Sequence, residues 1–595
     1  MRYYLRYSSF LIIFLAGVVG VVGCSDDQFS VENPNAPDRD LAIQEPSDIQ
    51  SILNGGYTSW WQGTYENEIG VYQSAPHFHA WGDALSTTNA YSGFWNVGTN
   101  EPRVEIPNTT LFGDLGIVEV PWENLNSAIS SANDVIRQIE ENEDFQIQNP
   151  QITQGTRAAA YYLRGLSYGY LANIYDQGYI TGTDFDPEED LQQLEFSPYP
   201  DLLAQARSDL QQARDILSSE PVSADPFSDV LPWTNAPNID RLIRISNSME
   251  ARFIVSTNRG GEAEVSYDIP WNEVLDLTQN GVQQDIVMQM DGVQWENGFH
   301  YLSGLYWYFR VDNRIISKMA AQNGATDYPI KYPSDQAGSP IEPAKLPSEQ
   351  GEGDARLCPA DGTESGGSGV STAAGSDCWF AYDGDQSYYT LPRGPKLQSN
   401  YYWLREPALE MWFSQPFSAG PSIIFDAEEN RLMEAEAEIK ATNGSGVSAA
   451  RALVNNGSRV NVGDLDPLPS GVSQEDAMEA IEYERDIQLY RTGLGLQYFD
   501  LRRRGELQTG TPVHMPVPAT ELETPPQSPL YSFGGASNAG EPGAATGDNA
   551  WCDQGNLSCD GPHSYPQPSN SIEDLDSRSL ENFGLTPSPI SPPSE

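Results

Sequence analysis

The sequence predicts a mainly α fold, with tetratricopeptide-like helical repeats on one side and a loop-rich, irregular side formed by the remainder. Three observations predict it. Apolar residues recur in steps of three and four in several separated segments, the period of helices that bury one face. Small residues stand among large ones along those segments, which lets stacked antiparallel helices approach closely. Between and after them lie stretches crowded with Pro, Gly, Ser and Asp, which make turns rather than repeating elements. With 39% hydrophobic residues in 595, the chain can build a sizeable core. No repeat of strict length is visible, so the repeats are degenerate.

Taken in order, the chain opens with Arg2 and Arg6 before an apolar stretch from Phe10 to Val22, too short to span a bilayer comfortably and suited to a signal peptide over residues 1–23. It ends in Val21-Val22-Gly23-Cys24, which resembles the lipobox of bacterial lipoproteins and marks Cys24 as the acylated first residue of the mature protein. Ser25-Asp26-Asp27 follows and is similar to the acidic signal that directs lipoproteins to the outer cell surface. Trp122, Leu125, Ile129, Ala132, Ile136 and Ile139 predict the first helix. The run from Arg157 to Tyr175 predicts the second, with Ala159, Gly165, Gly169 and Ala172 as its small positions. Leu203 to Leu217 and Leu242 to Phe253 carry two more amphipathic patterns. Residues 328–378 read as a loop-rich insertion. Helical patterns return over Ala427 to Lys440, Val447 to Asn455 and Glu475 to Tyr490. Within the last of these, Glu484, Arg485 and Asp486 are expected to form buried ion pairs with Arg502, Arg503 and Arg504. A Pro/Gly/Ser-rich tail, 523–595, is expected to be loop, wrapped on the body at best.

Charge narrows the function. Acidic residues number 84 against 32 basic ones, a formal net charge of −52, so a polymer of phosphates would be repelled and nucleic-acid binding is excluded. Only five lysines occur, Lys318, Lys331, Lys345, Lys396 and Lys440, and the acids are spread along the whole chain. In molar salt, where the Debye length is roughly 3 Å, such self-repulsion is screened, and the composition points to a halophile. Apart from Cys24, the cysteines form two sequence-local pairs, Cys358 with Cys378 and Cys552 with Cys559. Two local disulfides are expected, the rival being a zinc site, although no histidine lies close in sequence to the first pair.

Catalytic and metal chemistry find little support. His77-Phe78-His79 with Asp83 would offer two imidazoles on one face of an extended segment, but reads as polar residues in an aromatic-rich loop. Asp184, Asp186, Glu188, Asp190 and Glu195 have the spacing of a calcium loop, yet Glu189 stands where such a loop needs glycine. No phosphate-binding loop pattern occurs, and no carboxylate pair stands out for glycoside hydrolysis. Neither a catalytic site, a metal nor a cofactor is therefore expected, with a surface-anchored hydrolase as the rival reading. Aromatic residues do stand out. One loop-like cluster holds Trp81, Tyr91, Phe94 and Trp95 with Asn89 and Asn96, and another Trp295, Phe299, Tyr301, Tyr306, Trp307 and Tyr308 with Arg310. A flat ring beside amide and guanidinium groups suits the apolar face and hydroxyl rim of a sugar. The candidate ligand residues are Trp81, Tyr91, Trp95, Asn96, Trp295, Tyr301, Trp307 and Arg310; any one ring taken alone reads more readily as core, and the clusters together carry the expectation.

Four stretches together resemble the SusD/RagB family of outer-membrane nutrient-binding lipoproteins. They are Cys24-Ser25-Asp26-Asp27 with Val31-Glu32-Asn33-Pro34; Ala158 to Gly165 through Leu171-Ala172-Asn173-Ile174-Tyr175; Glu428 to Ala437; and Ile481 to Tyr490, then Tyr498 to Gly505, ending at Pro516 to Leu522. The resemblance implies four tetratricopeptide-like helix pairs within one nutrient-binding domain, 24–522, and a ligand-bearing irregular side. It also implies a lipid-anchored protein on the extracellular face of the outer membrane, not an enzyme, that captures an oligosaccharide or peptide. The helical side would pack on a SusC-like TonB-dependent transporter, to which the nutrient is handed.

Overall fold

The computed structural model describes residues 45–65, 74–87, 103–142, 144–186, 190–219, 221–298, 309–322, 353–357, 379–382, 399, 401–403, 405, 419–524 and 528–547. The helices are α1 (Pro46–Thr64), α2 (Ser74–Trp81), α3 (Gly116–Glu141), α4 (Pro150–Ile174), α5 (Tyr199–Ser218), α6 (Asp225–Val230), α7 (Ile239–Thr257), α8 (Trp271–Gln279), α9 (Asn313–Gln322), α10 (Ala427–Ala441), α11 (Val447–Asn455), α12 (Ser458–Asn461), α13 (Gln474–Ile487), α14 (Leu496–Arg504) and α15 (Ala519–Glu523). The strands are β1 (Leu85–Thr87), β2 (Gln177–Gly178), β3 (Ser197–Pro198), β4 (Ile286–Asp291), β5 (Phe309–Val311), β6 (Phe380–Tyr382), β7 (Tyr401–Trp403) and β8 (Ala419–Phe425). They pair as antiparallel two-stranded ribbons, β1–β5, β2–β3, β4–β8 and β6–β7, with Leu85 opposite Val311 and Val287 opposite Ile423.

The expected mainly α architecture is the one observed. Helix starts follow their capping chemistry: Asn149 accepts from the Ile152 N–H at 3.0 Å ahead of α4, with Pro150 in its first turn. Asn238 caps α7 through the Arg241 N–H at 2.9 Å, and Ser473 caps α13 through the Asp476 N–H at 3.0 Å. The pattern predicted to run to Tyr490 ends as helix at Ile487, because the chain then turns through left-handed positions at Arg491 (φ +61°) and Gly495 (φ +63°).

Successive helices pack as pairs, α1 on α3, α4 on α5, α7 on α8 and α10 on α11, joined by α5 against α7 and α8 against α10. Glycines in α4 set the closest approaches. A Cβ on Gly165 would lie 2.8 Å from Leu210 Cγ of α5, and one on Gly169 would come within 2.4 Å of two Phe253 ring carbons of α7. The main core runs through α1, α3 to α5, α7, β4, β8 and α14. A second cluster lies under β5 to β7 and the end of α13, and a third joins α10, α11 and α13.

Buried ion pairs fix the C-terminal part, but their partners differ from the expected triad-to-triad pairing. Glu484 is bidentate to Arg356 (2.8 and 3.0 Å), and Asp486 to Arg314 (2.8 and 2.9 Å). Arg485 instead meets Asp500 at 2.8 Å, which also receives Arg503. Arg502 donates to backbone carbonyls of Asn173 and Val513 (2.9 Å each), tying α14 to the end of α4. Adjacent residues on a helix point in different directions, so three neighbours cannot all face one cluster. Beyond Leu522, residues 528–547 lie on the body. Asn108 donates to the carbonyls of Val517 and Tyr531 at 2.9 Å, and the Gly543 N–H donates to Glu262 O at 2.8 Å.

Candidate functional site

Trp295 is the one sequence-predicted ligand ring that the described residues show half-buried rather than enclosed. It stands just after β4, on a loop fixed by a single carboxylate. Asp291 Oδ1 accepts the backbone N–H groups of Val293, Gln294 and Trp295, each at 2.9 Å. The Asp291 and Gly292 N–H groups in turn donate to Trp295 O at 3.1 and 3.2 Å, with Gly292 supplying the left-handed position (φ +70°). Trp61 Nε1 donates to Glu296 O at 2.8 Å, and the Gly298 N–H donates to Tyr65 O at 2.8 Å. Asn297 Nδ2 meets Ser422 Oγ of β8 at 2.8 Å. The Trp295 ring rests edge-on against Trp61, centroids 5.6 Å apart and planes at 77°, while Trp61 stacks on Tyr65 at 5.0 Å. The ring is therefore held in one orientation before any ligand arrives, which lowers the ordering cost of stacking a sugar face on it. Trp61 and Tyr65 support it and are not among the sequence-predicted site residues. Their signal is the aromatic run Trp60-Trp61 and Tyr65, in a segment whose helical period Gly55-Gly56 interrupts.

The other expectations fare differently. Trp81 ends α2 fully buried, against Phe78 (5.5 Å) and Tyr498 (5.9 Å), so it is core and leaves the candidate set. Arg310 is likewise enclosed, at the centre of β5 opposite Ser86, with its guanidinium 5.8 Å from the Tyr402 ring. It too leaves the set, because a three-residue strand buried at every position has no open face. Tyr91, Trp95, Asn96, Tyr301 and Trp307 lie outside the described residues, as do Cys24, Cys358, Cys378, Cys552 and Cys559.

His77 and His79 are in helix α2 rather than an extended loop, two positions apart and so on different faces, and both are buried. Burial, followed by the positive charge of Arg491, pushes the His79 imidazole down to about 3, which keeps it neutral. Of the calcium-loop candidates, Glu188 and Glu189 lie outside the described residues, and Asp184, Asp186, Asp190 and Glu195 form no ligand cluster among themselves. Among the described residues, no group of three or more His, Cys, Asp or Glu could hold a metal ion. The chain does contain a Gly-x-Ser-x-Gly spacing, Gly165 to Gly169, the pattern of a hydrolase nucleophile elbow. Here it lies inside α4, where Ser167 is fully buried and its hydroxyl donates to Leu163 O at 2.9 Å. A nucleophile elbow needs a sharp strand-to-helix turn, so this serine is a helix-packing residue. Among the described residues, no helix is long and apolar enough to cross a membrane.

No family model matches the chain. A curated relative, SusD-like protein P2 of Formosa agariphila, is 26% identical over 226 residues, 37% of this chain and 39% of the relative, so the match spans about two fifths of that protein. Among solved structures, a SusD superfamily protein from Bacteroides vulgatus superposes with a TM-score of 0.53 at 13% identity, over 81% of this chain and 98% of its own. A SusD-like carbohydrate binding protein from Bacteroides fragilis gives 0.52 at 12% identity, over 78% and 87%. The chain thus shares the fold of these SusD superfamily structures, and the resemblance carried by the sequence motifs is borne out at that level.

Proposed function

We propose that the protein is a cell-surface lipoprotein that binds an oligomeric nutrient, a glycan, and delivers it to a SusC-like TonB-dependent outer-membrane transporter. The observation that carries this reading is the preset Trp295 ring on a fixed loop of a SusD fold. It agrees with the carbohydrate-binding description of the Bacteroides fragilis neighbour. Anchoring through acylated Cys24, on the extracellular face, and a non-catalytic role complete the proposal.

The test is oligosaccharide titration of the whole protein in concentrated salt, with Trp295→Ala beside wild type. Ring stacking contributes on the order of 0.5–1.5 kcal/mol beyond area burial, so the variant should bind a few-fold to tenfold more weakly with its thermal unfolding little changed. Turnover of the glycan would favour a hydrolase, and binding of peptides alone would identify a peptide carrier. Co-purification of a TonB-dependent transporter, together with fatty-acid labelling lost in Cys24→Ala, tests partner and anchor.

A further inference from the structure

Between the repeat helices and the C-terminal helices lies a cleft of about 520 Å³, framed by α8, α10, α13 and α14. We propose that it is a second saccharide site, for one or two units of a neutral glycan. The site goes beyond the function proposed above and shares no residue with the Trp295 loop.

Its volume is in the range of small-ligand pockets. Half-buried Trp271, with Ile269 and Met478, supplies the apolar wall that the C–H face of a sugar needs. Both arginines in the wall are already paired. Arg503 is bidentate to Glu436 (2.7 Å to each oxygen), and Arg504 Nη1 meets Glu482 at 2.6 Å and Glu506 at 2.8 Å. The Arg503 guanidinium also sits 6.0 Å from the Trp271 ring centroid, at the outer edge of a cation–π contact. What is left over is short-range hydrogen-bonding capacity. Arg504, with its side chain 10% exposed, keeps Nη2 without a hydrogen-bond partner. Exposed Asp268 and Lys440 stand on the rim with no partner among the described residues. One acceptor and one donor of opposite charge, beside a flat ring, match a rim of hydroxyls. The rim itself, one charge of each sign, favours neither a polyanion nor a polycation by contact, and the inferred ligand is therefore neutral.

The experiment uses the full chain in concentrated salt, titrated calorimetrically with maltotriose, cellotriose and xylotriose. For a probe that binds, two sites are expected. Trp271→Ala, and separately the exposed-rim pair Asp268→Ala with Lys440→Ala, should each weaken one site a few-fold to tenfold and leave the other intact; Trp295→Ala should do the converse. The rim pair removes no packed side chain, so it remains informative should Trp271→Ala unfold the protein. A single site lost only in Trp295→Ala overturns the cleft while the proposed function stands. A single site lost only in the cleft variants upholds the cleft and removes the Trp295 site. No binding of any probe overturns the cleft.

Discussion

Burial decides the protonation of Glu428. Enclosure raises its carboxyl to about 7, and neither the Arg431 guanidinium nor the Ser458 N–H, which donates at 3.0 Å, reverses the shift. A raised carboxyl binds its proton more tightly in the fold than in the unfolded chain. The stability it contributes is therefore fully present below the unfolded value near 4.5, and is lost as pH rises through about 7. Each pH step across that window is worth up to about 1.4 kcal/mol at this one group. Unfolding free energy measured from about pH 5 to 8 should fall for wild type and be flatter for Glu428→Gln, which keeps an acceptor for Ser458; equal slopes would refute the assignment. Asp486 and Asp500 behave oppositely. Burial alone would raise them, but the guanidiniums beside them, Arg314 for the first and Arg485 and Arg503 for the second, hold both well below the usual carboxylate range. Their contribution is present above pH ~4 and lost only as acid protonates them. At this scale, residue type was legible and burial was not. Trp81 and Trp295 look alike in sequence, each beside turn-forming residues, yet one closes a core helix and the other stands half-buried on a loop because of contacts with chain hundreds of residues away.

Among the elements, the close helix crossings make the sharpest claim. Gly169→Ala places a methyl 2.4 Å from two Phe253 ring carbons and should destabilise by about 1–3 kcal/mol, although alanine favours helix by about 1 kcal/mol. Gly55→Ala in α1 meets nothing within 4 Å, so only the propensity term acts and it should stabilise by up to about 1 kcal/mol. Thermal melts of the two variants should move in opposite directions; movement in the same direction would show that the crossing is not tight. The repeat helices α3, α4, α5 and α7 were legible because one apolar stripe each faces a neighbour, which is the condition under which periodicity reports burial. Helix α1 was not. Gly55-Gly56 interrupts its pattern, and its buried residues mix Tyr57, Trp60 and Trp61 with small ones. The short helix α2 has no legible period, because buried His77, Phe78, His79 and Trp81 leave no polar face to define one.

For the whole molecule, charge is divided by depth. Among the described residues, eleven arginines and twelve carboxylates are buried. Among these residues the buried charge nearly cancels, so their net negative charge is carried outside the interior. The total was legible from composition, but this division was not, because it depends on which arginines the fold encloses. Buried pairs are screened little by salt, whereas exterior repulsion falls as the Debye length shrinks from about 10 Å at 0.1 M to about 3 Å at 1 M. The unfolding midpoint should therefore rise between those concentrations. A midpoint that fell would mean that attractive surface pairs, rather than repulsion, dominate.

Locking a third of the 32 basic residues inside has a further effect on what may approach the surface. In dilute medium the exterior acts as an electrostatic sieve, turning away sulfated or uronate-bearing chains while an uncharged polysaccharide passes unhindered. Brine opens the sieve, so salinity should tune selectivity. Affinity for a neutral oligosaccharide should change little between about 0.1 M and 1 M salt, while affinity for an acidic chain of the same length should climb steeply.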